Sequence, residues 1–407
     1  MPKIFIHFTF VFFTLVAVSG VWMRLFIINP NTGIPYSNVL HGHSHLAMLG
    51  WAFLGAFAIF LLLFWKTINS KKQASILMYS LFIVSLLMFL AFLYQGYDVF
   101  SIILSTAHIF IEYWAAVFIY RHLKSEVDIP KTGRFFINSG LIALLISSIG
   151  PFLLGYISAN GMKNSYFFDM AMYFYLHFQY NGWLTLFLIG LFIIIVHNKS
   201  IPIQHPLLNL GFWIYFISLF PSYFLSILWI DLGSYSTILG TIGGIGQWFG
   251  VLFILLSFKK VWKEIVFQYS TLTVVSLAVT LLLLLLKSTM ELGLIVPSLS
   301  LLIYDTRSIV IGYLHLTLLG FVSIFILTQY LMLDALGSKR TPVYGFTTFF
   351  IGFFLNELLL FMQGLLEWLG LSGIPFYNEG LLLASVLLLI GIIIQWASFS
   401  TKQHRIL

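Results

Sequence analysis

The sequence has no cysteine and few charged residues. Among its 407 residues, only 8% are Asp, Glu, Lys or Arg. The absence of thiols excludes disulfides, thiolate-ligated zinc and iron–sulfur clusters. Long polar stretches are missing too, because the longest run to about 10–15 residues, too few for a separate soluble domain. We therefore expect a single domain over residues 1–407.

Apolar and aromatic side chains dominate what is present. They make up 60% and 18% of the chain, and runs of about 20 apolar residues recur throughout, which predicts an integral protein of the lipid bilayer. Residues 4–27 are too long for a signal-peptide core and lack a small-residue cleavage site, so we expect a first transmembrane helix there. The net charge of +7 reflects positive-inside bias, and no nucleic-acid partner is expected.

The apolar runs between polar breaks predict an all-α chain of twelve transmembrane helices. They further suggest three pseudo-equivalent sets of four helices, roughly residues 1–130, 131–265 and 266–407. The predicted helices cover residues 4–27, 43–65, 74–96, 99–120, 135–158, 170–196, 207–229, 235–258, 268–290, 306–333, 343–366 and 379–399.

The distribution of Lys and Arg predicts the orientation. Sixteen of the 20 basic residues lie at the termini or after even-numbered helices. This asymmetry predicts that both termini are cytoplasmic, and we expect the bacterial inner membrane as the location. The four basic residues assigned to the opposite side are Arg24, Lys163, Lys287 and Arg307.

A short motif occurs three times: a histidine, four further residues, a glycine and an aromatic residue. The copies occupy residues 45–51, 177–183 and 315–321, in predicted helices 2, 6 and 10, the second helix of each set. An ionisable side chain in an apolar span is costly and usually functional. The near-equal spacing is typical of parallel repeats about an axis along the membrane normal, and it suggests that the copies converge on one site.

Imidazole is a common ligand of haem iron and copper, and two histidines on facing helices can bracket a haem. The alternative is that each histidine forms a hydrogen bond to a neighbouring helix. His41 and His43 directly precede the first copy. At about 100° per residue, His41 and His45 share a helix face, whereas His43 points nearly opposite. One face could hold a metal while the other meets a second helix, although His41 could equally be solvated at the helix start.

Further polar residues lie near these histidines in the predicted topology. His108 and Glu112 are four residues apart in helix 4, where they can form a pair that orients a ligand, carries a proton or ties two helices together. Arg307 at the start of helix 10 could hold a haem propionate or anchor the interface. The remaining histidines lie at helix ends or in loops and are given no role: His7, His122, His197, His205 and His404.

The pattern resembles subunit I of the haem–copper oxidase superfamily, which includes the nitric oxide reductases. That family has twelve helices in three pseudo-equivalent sets of four, so the resemblance covers the whole chain by topology. It implies that His45 and His315 are the two axial ligands of a low-spin haem. It also implies that His177 corresponds to the helix-6 histidine that binds copper or non-haem iron.

The sequence departs from the family pattern at two places. Tyr313 stands where the family has the histidine ligand of its high-spin haem, and residues 207–229 lack the histidine pair expected in helix 7. The resemblance then implies one low-spin b-type haem for electron transfer, with an electron-donor protein or a quinol as partner. Since a bis-histidine iron has no open position, we expect no reduction of oxygen or nitric oxide by this chain alone.

Two other functions stay open. An NnrS-like membrane protein of nitric oxide or copper response would bind copper or iron through His43, His108 and His177. A transporter would use the histidines as a proton relay and would interrupt its helices at matching positions of the repeats. The glycines of helix 8 have no clear match in the other sets: Gly240, Gly243, Gly244 and Gly246.

Overall fold

The computed structural model describes residues 1–30, 33–203, 206–336 and 340–400, so His205 and His404 lie outside it. Over the described residues the chain is helical and has no β-strand. Twelve of these helical segments are long and apolar enough to cross a membrane, which confirms the predicted fold class. We number them α1 to α12: Ile4–Ile28, Tyr36–Phe64, Lys71–Gln95, Val99–Ser125, Lys131–Ala159, Tyr166–His197, Pro206–Ile227, Ser234–Lys260, Thr271–Ile295, Arg307–Met332, Arg340–Trp368 and Tyr377–Phe399.

The start of α2 differs from the prediction. The helix begins at Tyr36 rather than at residue 43, because its first turns contain polar residues that an apolar-run criterion leaves out. His41 is therefore in the second turn of α2 and is half-buried. It does not occupy the solvated helix start that the sequence suggested.

The chain divides into two compact units. Unit 1 contains residues 1–122 and the chain from Ile326 onward, and unit 2 contains residues 123–325. The three four-helix sets suggested by the sequence stay a prediction.

In unit 1, aromatic rings from several helices form the core. The Trp51 ring of α2 stacks on Phe13 of α1, with centroids 3.9 Å apart and planes within 3°. Phe13 also contacts Phe349 of α11, and Phe10 stacks on Trp396 of α12. Because stacked aromatic pairs stabilise beyond the area they bury, these contacts fix α1 against α2, α11 and α12.

The three helices that carry the motif are the most enclosed spans. In α2, α6 and α10, 83%, 94% and 61% of an 18-residue apolar stretch is buried, compared with 33–44% in the other nine spans described. The protein therefore shields the motif helices from lipid more than it shields the rest.

In unit 2, α7 and α8 pack closely because α8 presents glycine to its neighbour. A Cβ on Gly243 would lie 2.1 Å from the Ser222 backbone nitrogen, and one on Gly250 would lie 2.7 Å from the Tyr215 Cβ. Small residues permit such close approach of helices in membranes. The glycines of α8 thus serve helix packing within a continuous helix, Ser234–Lys260, and do not interrupt it.

We predict that Gly243→Ala lowers the stability of the protein by about 1–3 kcal/mol, because the added methyl group meets rigid backbone and forces α7 and α8 apart. Gly155→Ala in α5 is the matched control, since a Cβ there meets nothing within 4 Å. Thermal unfolding of both variants in detergent measures the effect. Equal melting temperatures for the two variants would contradict the packing argument.

Candidate functional site

Each motif histidine is followed directly by a π-helical turn of seven residues. These turns are Leu46–Ala52 in α2, Phe178–Leu184 in α6 and Leu316–Val322 in α10. The described residues contain no other π-helical segment. A π-helix pairs residues five apart, the same interval that separates histidine from glycine in the motif, and such turns are frequent at functional sites. The sequence repeat is therefore also a repeat of local backbone structure.

The glycine and the aromatic residue of the motif serve packing. A Cβ on Gly182 would lie 2.6 Å from the Ala143 Cβ of α5, so the glycine permits close contact between α5 and α6. The aromatic residues Trp51, Trp183 and Phe321 are fully enclosed. The turn is thus held in a tightly packed interior beside its histidine.

His45 faces the connection between α3 and α4. Its Nε2 lies 3.1 Å from the Tyr97 hydroxyl oxygen, and its ring stacks on Phe92 at 4.6 Å. The rings of His41 and the same tyrosine are perpendicular, with centroids 5.0 Å apart. Burial raises the pKa of Tyr97, so its hydroxyl keeps its proton at neutral pH and can donate to the imidazole.

His43 points the other way, toward α1. Its Nδ1 lies 3.0 Å from both the Val16 carbonyl oxygen and the Ser19 Oγ. A carbonyl oxygen can only accept, so Nδ1 carries the proton and Nε2 keeps its lone pair. This orientation is typical of a metal-binding histidine with its supporting hydrogen bond, although the same bond also ties α2 to α1.

His108 and Glu112 form the pair that their spacing predicts. The His108 Nδ1 lies 3.0 Å from the Glu112 Oε1, and its Nε2 lies 3.1 Å from the Ser85 Oγ of α3. Both members of the pair are buried. Each ring nitrogen of His108 thus faces a polar partner on α3 or α4.

His177 is held by α7 at a break in that helix. Its Nε2 donates to the Leu219 carbonyl oxygen at 2.8 Å, and its Nδ1 lies 3.3 Å from the Asn181 Nδ2. Pro221 has no N–H, and from Tyr223 the chain tightens into a 3₁₀ turn. The histidine therefore supplies a donor to a backbone carbonyl where the regular α-helical pattern ends.

Unit 2 contains a buried cluster of polar residues that the sequence interpretation did not identify. The Lys287 Nζ lies 3.0 Å from the Glu291 Oε1 and also donates to the Asn181 Oδ1. The Tyr313 hydroxyl donates to the same Glu291 oxygen, and the Lys287 ammonium lies 5.6 Å from the Tyr180 ring centroid. Helices α6, α9 and α10 thus share one ion pair.

The position of Lys287 corrects one prediction. The sequence placed it among the basic residues on the outer side, whereas it lies within α9 with 1% of its surface exposed. A lysine near the end of an apolar helix is expected to lie at the interface, but here Glu291, one turn further, pairs with it inside the protein. The signal was present in the sequence, because a Lys and a Glu four residues apart in an apolar helix predict an ion pair.

His315 and Arg307 occupy the first half of α10. His315 is half-buried and precedes the π-helical turn, and Arg307 is the exposed first residue of the helix. Eight residues separate them, about 12 Å along the axis. Within unit 2 the π-helical turns of α6 and α10 pack against each other, so the second and third copies of the motif meet there.

The candidate metal ligands do not form one cluster. Over the described ranges, no three His, Asp or Glu side chains are gathered in a way that could hold a metal ion. His43 and His108 belong to unit 1 and bind different neighbours, whereas His177 belongs to unit 2. The haem and metal roles of the six residues named from the sequence stay predictions.

Comparison with known proteins does not assign a family. No protein-family model matches the chain, and no curated protein matches it.

We predict that Lys287→Met destabilises the protein by about 3–5 kcal/mol, because it leaves Glu291 as an unpaired buried charge. The double variant Lys287→Met/Glu291→Leu removes both charges and should recover most of the loss. Thermal unfolding in detergent compares the variants. If the double variant is no more stable than the single one, the ion pair is not what Lys287 contributes.

Proposed function

We propose that this chain is a haem-binding membrane protein for electron transfer, with His45 and His315 as axial ligands. The observation that supports it is the π-helical turn directly after each motif histidine. Such turns are frequent at functional sites, and these lie in the most enclosed helices. The pairing of His45 with His315 comes from the sequence, since each histidine belongs to a different unit.

The residues present fit the chemistry that a haem requires. The His45 Nε2 faces the Tyr97 hydroxyl, which can donate to it, so this nitrogen can carry the lone pair that an iron ligand needs. The ring is held in orientation by stacking on Phe92. Arg307 is exposed at the start of α10, where its guanidinium can pair with a propionate. Bound haem would supply one-electron redox chemistry, while the enclosed aromatic side chains exclude water.

The proposed place of the protein in the cell follows from its charges. The excess of basic residues on one side favours cytoplasmic termini and the bacterial inner membrane. In that setting a quinol or an electron-donor protein would supply electrons. The lipid bilayer as its surroundings already follows from the twelve apolar helices.

A second candidate function is favoured by the tautomer of His43. Its Nδ1–H is engaged by the Val16 carbonyl, which leaves Nε2 free to bind copper or iron. This arrangement supports the NnrS-like alternative, in which His43, together with His108 and His177, binds copper or iron. His43→Ala therefore belongs in every spectroscopic comparison, because it separates the two candidates.

We predict that purified protein shows a low-spin haem spectrum that is lost in His45→Ala and in His315→Ala, because each change removes one axial imidazole. Optical spectra of the oxidised and dithionite-reduced protein are the measurement. His404→Ala is the control and should leave the spectrum unchanged. A low-spin spectrum that survives in His45→Ala or in His315→Ala would contradict the haem assignment, whereas bound copper or iron that is lost in His43→Ala would favour the second candidate.

We also predict that the haem-loaded chain does not reduce oxygen or nitric oxide. Tyr313, in place of a second iron-binding histidine, donates to Glu291. The α7 residues around His177 supply a carbonyl and a hydroxyl rather than imidazoles. Gas consumption with excess electron donor is the measurement, and sustained turnover that disappears in His177→Ala would refute this prediction.

A further inference from the structure

Three glutamates of the membrane-spanning helices are enclosed in the described part of the chain: Glu112 in α4, Glu291 in α9 and Glu357 in α11. The first two face a basic side chain. The Glu112 Oε1 lies 3.0 Å from the His108 Nδ1, and the Glu291 Oε1 lies 3.0 Å from the Lys287 Nζ. Over the described residues, Glu357 has no basic partner of this kind.

The Glu357 carboxyl group has a single neutral donor beside it. The Asn356 Nδ2 donates to the Glu357 Oε1 at 2.9 Å. The Oε2 atom is buried and has no hydrogen-bond partner among the described residues, and the residue as a whole is 7% exposed. An ionised carboxylate here would carry charge on an oxygen that no donor stabilises.

The part of α12 that lies opposite Glu357 is apolar. A Cβ on Gly352 of α11 would lie 2.9 Å from the Ala384 carbonyl oxygen of α12, and one on Gly380 of α12 would lie 2.9 Å from the Leu359 Cδ1 of α11. Because Glu357 lies between Gly352 and Leu359, it is level with the stretch from Gly380 to Ala384. That stretch reads Gly-Leu-Leu-Leu-Ala and contains no ionisable side chain.

The charged residues of α11 and of the helices packed against it do not pair with Glu357. Helix α11 packs against α12 and, through the rings of Phe349 and Phe13, against α1. On α11 itself, Arg340 and Glu367 lie about 25 and 15 Å from Glu357 along the axis. Among the described residues, no hydrogen bond or ion pair joins Glu357 to the titratable or charged residues of these helices, which are His7 and Arg24 in α1, Arg340, Tyr344 and Glu367 in α11, and Tyr377 and Glu379 in α12.

The surroundings of a buried carboxyl group decide whether it is ionised. The ionised form loses its hydration on burial, and the neutral form is favoured unless a positive charge or several donors replace the lost water. The Lys287 ammonium supplies such a charge to Glu291. One amide N–H does not replace it for Glu357, whose second oxygen has no donor at all among the described residues.

We propose that Glu357 is a proton-binding site within unit 1 and carries its proton at neutral pH. Binding adds one proton to the carboxylate and cancels its charge, and no other bond changes. Because Oε1 accepts from Asn356, the proton resides on Oε2. A carboxylic acid that an apolar site keeps neutral can donate a hydrogen bond. The site needs no haem, so it is separate from the proposed cofactor function.

A packing role alone explains this residue less well. An apolar side chain of similar volume would fill the same place without the cost of burying a polar oxygen that lacks a partner. Ionisable side chains within membrane spans are rare for this reason, and they mark ion and proton pathways. Glu357 lies well inside its helix, about 16 Å from the end at Trp368, so it is not an interfacial side chain.

Infrared spectroscopy of the purified full chain in liposomes tests the proposal. At neutral pH, we expect the C=O stretching band of a neutral carboxyl group in the unmodified protein and the loss of that band in Glu357→Gln. The amide has the shape of the neutral acid, so the variant is expected to fold. Glu367→Gln is the matched control, because it removes an exposed carboxylate of the same helix and should leave the band intact.

A second variant covers the case in which Glu357→Gln does not fold. Glu357→Asp keeps a carboxyl group in the same apolar surroundings and should shift the frequency of the band. Retention of the full band in Glu357→Gln, or an unshifted band in Glu357→Asp, overturns the proposal. The unmodified protein can refute it as well, since a spectrum without a neutral-carboxyl band at neutral pH means that Glu357 is ionised.

Discussion

The structure depends on one constraint: within lipid, every backbone N–H and C=O must be satisfied by the protein itself. The constraint makes each span helical and permits departures from α-helix only where the protein encloses them. The three π-helical turns obey it, because they lie in the most enclosed helices. The break in α7 obeys it as well, since His177 donates to the Leu219 carbonyl beside that break.

The same constraint applies to the ionisable side chains, which need hydrogen-bond partners within the protein. Those partners decide which nitrogen of each histidine carries a proton and which can bind a ligand. The Val16 carbonyl fixes the proton of His43 on Nδ1 and leaves Nε2 for a ligand, whereas His177 has both nitrogens engaged. His108 takes a carboxylate as its partner. These three histidines are thus prepared for different chemistry, and an imidazole with an unengaged nitrogen is the better candidate for binding iron or copper.

The departures from the oxidase pattern have a structural counterpart in unit 2. Tyr313 belongs to the hydrogen-bond network of Lys287 and Glu291, so the position that the family uses for a haem ligand here supports an ion pair.

The sequence by itself determined the all-α membrane class, the twelve helices and the positions of the three motif histidines, because hydropathy and residue spacing are local properties of the chain. The predicted start of α2, at residue 43, lies after the observed start at Tyr36, because the first turns of this helix are polar. The spacing of His108 and Glu112 and of Lys287 and Glu291 already predicts two pairs. The tertiary structure alone decided the π-helical turns and the partners of His43, His45 and His177. These depend on which helices are neighbours and which way each side chain points, and packing between segments far apart in sequence sets both.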